Sequence, residues 1–208
     1  MKDATYLLLL VDRSGSMNTV KEDANGAIAT FIEEQKQVPG ECHLTLIDWD
    51  ARRYNGELDW YETKFDGPIA SFESYELEPR GMTALYDAVG RGVTELGERL
   101  AGMPEDERPN NVIVIIQTDG GENSSEKYSL EQVKALIEQQ TSTYNWSFIY
   151  LGMGADTWEA GANMGVANNI RASGSGQSYG GTYSVASASV TQSRVTGQSI
   201  SGLDEDIK

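Results

Sequence analysis

The segment YLLLLVDRSGSM sets one carboxylate and two hydroxyls, Asp12, Ser14 and Ser16, directly behind a run of apolar residues near the start of the chain. A second apolar run, NVIVIIQT, also leads into an aspartate, Asp119, and a further hydroxyl, Thr83, stands at the head of the helical-looking segment TALYDAV. All five side chains are hard oxygen donors, with no sulfur and no imidazole among them. Oxygen-only donor sets select Mg²⁺, Mn²⁺ or Ca²⁺ rather than zinc or copper. Two carboxylates among three hydroxyls leave a divalent ion only nominally neutralised, so it keeps a water that another ligand can displace. The competing role for Asp12 and Ser14 is local, as caps of a turn and of the following helix. A second strand ending in T-D-G argues instead for a site built from several loops.

Such a site needs elements that bring distant residues to one edge. Thr5 to Val11 reads as a fully buried strand. Val20, Ala24, Ala27, Ile28, Phe31 and Ile32 then fall on one helical face, with Thr19 and Glu22 at capping-box spacing. CHLTLIDW reads as the second strand, and ELDWYET as an edge strand within a long excursion over 50–80. Leu85, Val89, Val93, Leu96 and Leu100 mark a helix, and NVIVIIQT a buried strand. Ser129 and Gln132 form a second capping box, ahead of a helix carrying Leu130, Val133, Leu136 and Ile137. WSFIYLG is the next strand, followed by a short helix near Trp158 and a last strand in VANNIR.

Strands alternating with helices imply a doubly wound α/β fold, a mostly parallel sheet with helices on both faces. In such sheets the loops beyond the carboxyl ends of the strands form the functional edge, and both aspartates lie there. Asp48 and Asp50 near the end of the second strand, and Glu122 just after Asp119, could border the site. Residues 1–170 read as the domain and 171–208 as a Gly/Ser-rich linker with a short C-terminal tail. In that tail YSVASASVTQSRV is either a docked helix or disordered, and LDEDIK reads as frayed.

Charge and composition exclude several classes. The chain has 208 residues, enough for one medium domain, and its 16 basic and 32 acidic side chains give a net charge of −16. That surface repels phosphate backbones and anionic lipid, which argues against nucleic-acid or membrane partners. No stretch reaches the length of a membrane span, and the N-terminal apolar run is too short for a signal-peptide core. Cys42, the sole cysteine, allows no internal disulfide, so the expected compartment is a reducing cytoplasm. GQSYG at 176–180 spells a hydrolase elbow, but it lies in a low-complexity linker with no strand before it. LGMGADTWEAG reads as a tight turn rather than a dinucleotide loop, and no Walker A sequence occurs.

With D-x-S-x-S at Asp12, Ser14 and Ser16, followed by a threonine and a second aspartate, the chain resembles von Willebrand factor type A (VWA) domains with a metal-ion-dependent adhesion site (MIDAS). The resemblance covers about residues 4–170 and fills all five positions. The threonine falls on Thr83 in G-x-T-A-L, with Thr118 and Thr63 as competitors, and the second aspartate on Asp119. It implies a doubly wound fold in which the serines and threonine approach a Mg²⁺ ion and the aspartates often act through water. It further implies that the ion accepts an Asp or Glu carboxylate from a protein partner. The chain looks like the small free-standing bacterial or phage members of the family.

The expected function is therefore a metal-dependent protein-protein interaction module, such as an adaptor, and not an enzyme. Metal hydrolysis needs a general base, and the chain's one histidine, His43, lies inside a predicted strand. Two rivals stand beside this reading. One is a structural or virion-associated protein; the other is a phosphatase using Asp12 as nucleophile, against which Ser14 occupies the place where a second acid is usual.

Overall fold

A run of six apolar or aromatic residues, Tyr6 to Val11, demands cover on both sides, and it lies in the middle of the molecule. The computed structural model describes residues 2–51, 60–153, 157–172 and 178–207. The element order is β1 (Lys2–Asp12), α1 (Lys21–Lys36), β2 (Glu41–Asp50), β3 (Trp60–Pro68), α2 (Leu85–Ala101), β4 (Pro109–Thr118) and α3 (Leu130–Tyr144). There follow β5 (Ser147–Met153), α4 (Thr157–Asn163), β6 (Asn168–Ala172), α5 (Tyr179–Thr196) and β7 (Asp204–Ile207). The described strands form one sheet in the order β3-β2-β1-β4-β5-β6-β7. Only the β2–β3 pair is antiparallel. The doubly wound architecture expected from the alternation of strands and helices is thus the one observed.

Strand alternation divides β1 between two cores. Leu7, Leu9 and Val11 pack on one face with Ile28, Phe31 and Ile32 of α1 and with α5. Tyr6, Leu8 and Leu10 pack on the other with Val89 and Val93 of α2 and Val133 and Ile137 of α3. The apolar run has no polar alternation because neither face meets water.

Three local readings change. Ser129 and Gln132 do form a reciprocal capping box at α3, but Thr19 and Glu22 do not cap α1. The chain tightens into a 3₁₀ turn at Gly15–Thr19, where the Thr19 hydroxyl donates to the Ser16 carbonyl, and Val20 becomes the cap residue. The edge strand of ELDWYET begins at Trp60 and runs on to Pro68, with residues 57–59 lying outside the described residues. The end expected to fray is strand β7, parallel to β6.

The boundary expected near residue 170 does not separate a tail from the core. Helix α5 buries Tyr179, Tyr183, Ala186 and Val190 in the same cluster as β1 and α1. Its start is tied to α1 by Asp23, which accepts hydrogen bonds from the Ser178 hydroxyl (2.8 Å) and the Tyr179 amide. Sequence reading undercounts this helix because Ser, Thr and Gly fill the turns between its few buried residues. Residues 173–177 of the expected linker lie outside the described residues.

Candidate metal centre

Strands β1 and β4 are parallel neighbours at the point where strand order reverses, the place where ligands bind in open α/β sheets. Their register pairs Val11 with Gln117, so Asp12 and Thr118 leave the sheet at one level. Asp12 is fully buried. One carboxylate oxygen accepts from the Ser14 amide (2.7 Å) and the other from the Thr118 hydroxyl (2.5 Å). The Ser14 and Ser16 hydroxyls are 3.1 Å apart, and Ser16 donates to Asp119 Oδ1 at 2.7 Å. That last bond joins the loops of the two strands directly. Met17, next in sequence, is buried beneath the loop and anchors it, with the Tyr179 hydroxyl 3.6 Å from its sulfur.

Thr83 arrives from a third segment. Its amide donates to Asn123 Oδ1 and its carbonyl accepts from the Asn123 amide, both at 3.0 Å, which couples it to the loop carrying Asp119. A β-carbon placed on Gly120 would lie 3.5 Å from Thr83 Oγ1 and 3.9 Å from Ser16 Oγ. The bare glycine keeps the space between those hydroxyls open. All five residues named from the sequence therefore converge on one edge of the sheet, with Ser14 and Thr83 buried and Ser16 and Asp119 toward its mouth.

The electrostatics are one-sided. Burial pushes Asp12 up to about 7, against the opposing hydrogen bonds from Thr118 and Ser14, and the charge of Asp119 adds to the rise. Asp119 is raised too, again by burial, with Ser16 opposing. Among the described residues no basic side chain acts on either carboxylate. Arg13 sits inside the motif but turns away: its Nε lies 3.2 Å from Asp50 Oδ2 and a terminal nitrogen 3.5 Å from Asp48 Oδ1. Two desolvated carboxylates beside three hydroxyls fit a hard divalent cation, whose charge would relieve both. Among the described residues no group of three or more His, Cys, Asp or Glu side chains is placed to hold a metal. Serine and threonine oxygens must therefore supply much of any shell here.

Three candidates from the sequence have other duties. Asp48 and Asp50 are buried against Arg13, Arg80 and Lys64 and do not border the cluster as free carboxylates. Glu122 is consumed locally: it accepts from the Ser124 and Ser125 amides, the Ser125 hydroxyl and the Tyr86 amide in the first turn of α2. Thr118 supports Asp12 and bonds Gly120, while Thr63 lies exposed on edge strand β3. Arg13, Asn123 and Gly120 were not singled out from the sequence. Only Gly120 left a visible cue, in the T-D-G-G turn. His43 stacks on Tyr6 (4.7 Å) and bonds Asp66 (2.6 Å) near the other end of the sheet.

Gly81 precedes Thr83 by two residues at φ +75°, and a β-carbon there would sit 2.7 Å from the Ala51 carbonyl oxygen. Gly81→Ala should therefore destabilise the fold by about 1–3 kcal/mol, through left-handed strain and overlap. Urea unfolding checks this, and an unchanged midpoint would contradict it.

No protein-family model matches the chain, and no curated protein sequence matches it. Its fold does have solved counterparts. It matches the SpRpn10 VWA domain at TM-score 0.52 and 12% identity, over 86% of this chain and 92% of that one. The fold is VWA-like. The VWA-like chain also matches proximal thread matrix protein 1 from the mussel byssus (TM-score 0.57, 14% identity), over 92% of its own length and 48% of that chain. The pilus adhesin SpaC of Lactobacillus rhamnosus GG gives TM-score 0.61 at 13% identity, over 95% and 31%. The chain thus spans about half of the mussel protein and under a third of the adhesin. Among its described residues no helix is long and apolar enough to cross a membrane.

Proposed function

We propose that this VWA-like domain is a metal-dependent protein-interaction module, binding a partner's Asp or Glu carboxylate through Mg²⁺, with Mn²⁺ or Ca²⁺ as alternatives. One observation carries the reading. Asp12 and Asp119, desolvated and with no basic partner among the described residues, converge with the Ser14 and Ser16 hydroxyls of one loop and the Thr83 hydroxyl of another segment at the switch point of the sheet.

Ser14, Ser16 and Thr83 would hold the ion, with Asp12 and Asp119 supplying its counter-charge. The bound cation supplies a Lewis-acidic position that an incoming carboxylate completes. The chain's own part is to preorganise the oxygens. Ser16 is fixed by Asp119, Asp12 by Thr118 and the Ser14 amide, and Thr83 by Asn123. Both Asp12 oxygens are engaged and the side chain is fully buried, which counts against a nucleophilic role and supports a binding module rather than an enzyme. The −16 charge opposes an acidic ligand, so the rest of the partner's contact surface is basic and affinity falls with added salt. A cytoplasmic adaptor role is in keeping with the single, buried cysteine.

The test is calorimetric titration with Mg²⁺ of the wild type, Thr83→Ala and Asp119→Ala, followed by capture of partners from source lysate in Mg²⁺ or chelator. Each substitution should weaken Mg²⁺ binding at least tenfold and abolish capture. Equal affinity in all three proteins, or capture that survives chelator, would overturn the proposal.

A further inference from the structure

Thr83 lies in a stretch, residues 80–83, outside any helix or strand, so something else must set its position. Backbone bonds stitch this stretch to two neighbours. The Arg80 amide donates to the Arg13 carbonyl at 2.6 Å, and the Gly15 amide to the Gly81 carbonyl at 3.1 Å. Met82 and Ala51 exchange two bonds, of 2.7 and 2.8 Å, at the end of β2. A buried cluster lies under those bonds. One oxygen of Asp50 meets both arginines, accepting from Arg80 Nε at 2.7 Å and lying 3.2 Å from Arg13 Nε. The Trp60 ring faces both guanidinium groups, 4.0 Å from that of Arg80 and 5.0 Å from that of Arg13. Asp48 closes the far side, near Arg13 and the Trp60 indole.

Each arginine belongs to a different part of the metal centre. Arg13 stands between Asp12 and Ser14, and Arg80 three residues before Thr83. A single buried oxygen therefore ties the serine-bearing loop to the threonine-bearing segment. Strand β2 supplies that oxygen but contributes no ligand.

We propose that Asp50 is a positioning residue for the metal centre. Through Arg80 and Arg13 it holds Thr83 in register with Ser14 and Ser16, and the Trp60 ring packs against both guanidinium groups. Without it no carboxylate would join the two guanidinium groups, since Asp48 meets only Arg13 of the two, and the register would be left to the backbone bonds and the Trp60 ring. The inference rests on the metal-centre reading, yet part of its test does not.

Two substitutions test it. Asp50→Asn keeps the side-chain shape and removes the charge. Arg80→Gln removes only the outer arm and leaves Arg13 paired with both aspartates, which guards against a fold failure in the first variant. Hydrogen exchange needs no metal: the Met82 and Thr83 amides should exchange at least tenfold faster in both variants, while core amides of β1 and β4 stay unchanged. Mg²⁺ titration then forms a double-mutant cycle with Thr83→Ala. Each variant should lose about tenfold in affinity alone and almost nothing further once Thr83 is absent. Additive losses, or exchange at Met82 and Thr83 equal to wild type, would overturn the positioning role. If wild type itself binds no Mg²⁺, the functional proposal fails, and exchange alone decides this one.

Discussion

Asp12→Asn should make the metal-free protein more stable at pH 8, by about 4 kcal/mol at most, while removing its response to Mg²⁺. The size follows from where Asp12 titrates: at about 7 when folded, against an ordinary value of 3.8. A displacement that large corresponds to roughly 4 kcal/mol of preference for the protonated form. The direction is fixed by proton counting. Between pH 4 and pH 7 the folded state binds a proton at Asp12 that the unfolded state has lost. Stability contributed by this group is therefore present below pH 4 and is lost as pH rises, fully so above 7. Asparagine cannot ionise, yet its carbonyl still accepts from the Ser14 amide, and its amide can donate to the Thr118 hydroxyl. In chelator the wild type should show this fall between pH 4 and pH 7 and level off above it, and Asp12→Asn should lack it. Saturating Mg²⁺ should flatten the wild-type profile, because an ion that requires the carboxylate offsets its desolvation. At a hundredfold excess over its dissociation constant it adds about 2.7 kcal/mol by mass action. Chemical unfolding across that range, in chelator and in Mg²⁺, decides the matter. A wild-type profile in chelator identical to that of Asp12→Asn would show that Asp12 carries no such burden.

Truncation after residue 172 should leave a chain that does not fold, instead of a stable metal-binding core. Such a cut removes Tyr179, Tyr183, Ala186 and Val190 from the cluster they share with Phe31, Ile28 and Leu9. A fully buried large apolar side chain contributes roughly 1.5–3 kcal/mol, so the loss approaches the whole stability of a typical domain. It also unpairs buried polar groups. Tyr183 donates to buried Gln117 at 2.6 Å, and Gln35 bonds Ser187 and Thr191 of α5. Circular dichroism and amide NMR dispersion of a chain ending at residue 172 provide the check. A cooperatively melting fragment that retains its sheet would contradict the packing described here. The single substitution Tyr183→Ala should already cost about 3–5 kcal/mol, from the cavity and the lost bond to Gln117.

The fold class and the buried parallel strands were legible in the sequence, for physical reasons, whereas strand β7 was not. Buried parallel strands are uninterrupted apolar runs, and Leu7 to Val11 and Val112 to Ile116 can be little else. A donor set is read from residue types, and loops after strand ends are where this architecture gathers ligands. Helix α5 was harder to read because its signal is weak: small polar residues fill its exposed turns, and only contact with α1 turns four scattered side chains into a buried face. The same holds for Asp48 and Asp50. Their types suit a metal site as well as those of Asp12 and Asp119 do. Strand β2 places them against Arg13, Arg80 and Lys64, whereas among the described residues Asp12 and Asp119 accept hydrogen bonds from hydroxyls and amides. Residue type alone thus determines which groups can hold a cation. Which carboxylates are left without a basic partner depends on side-chain direction across three loops, and only the tertiary structure fixes that.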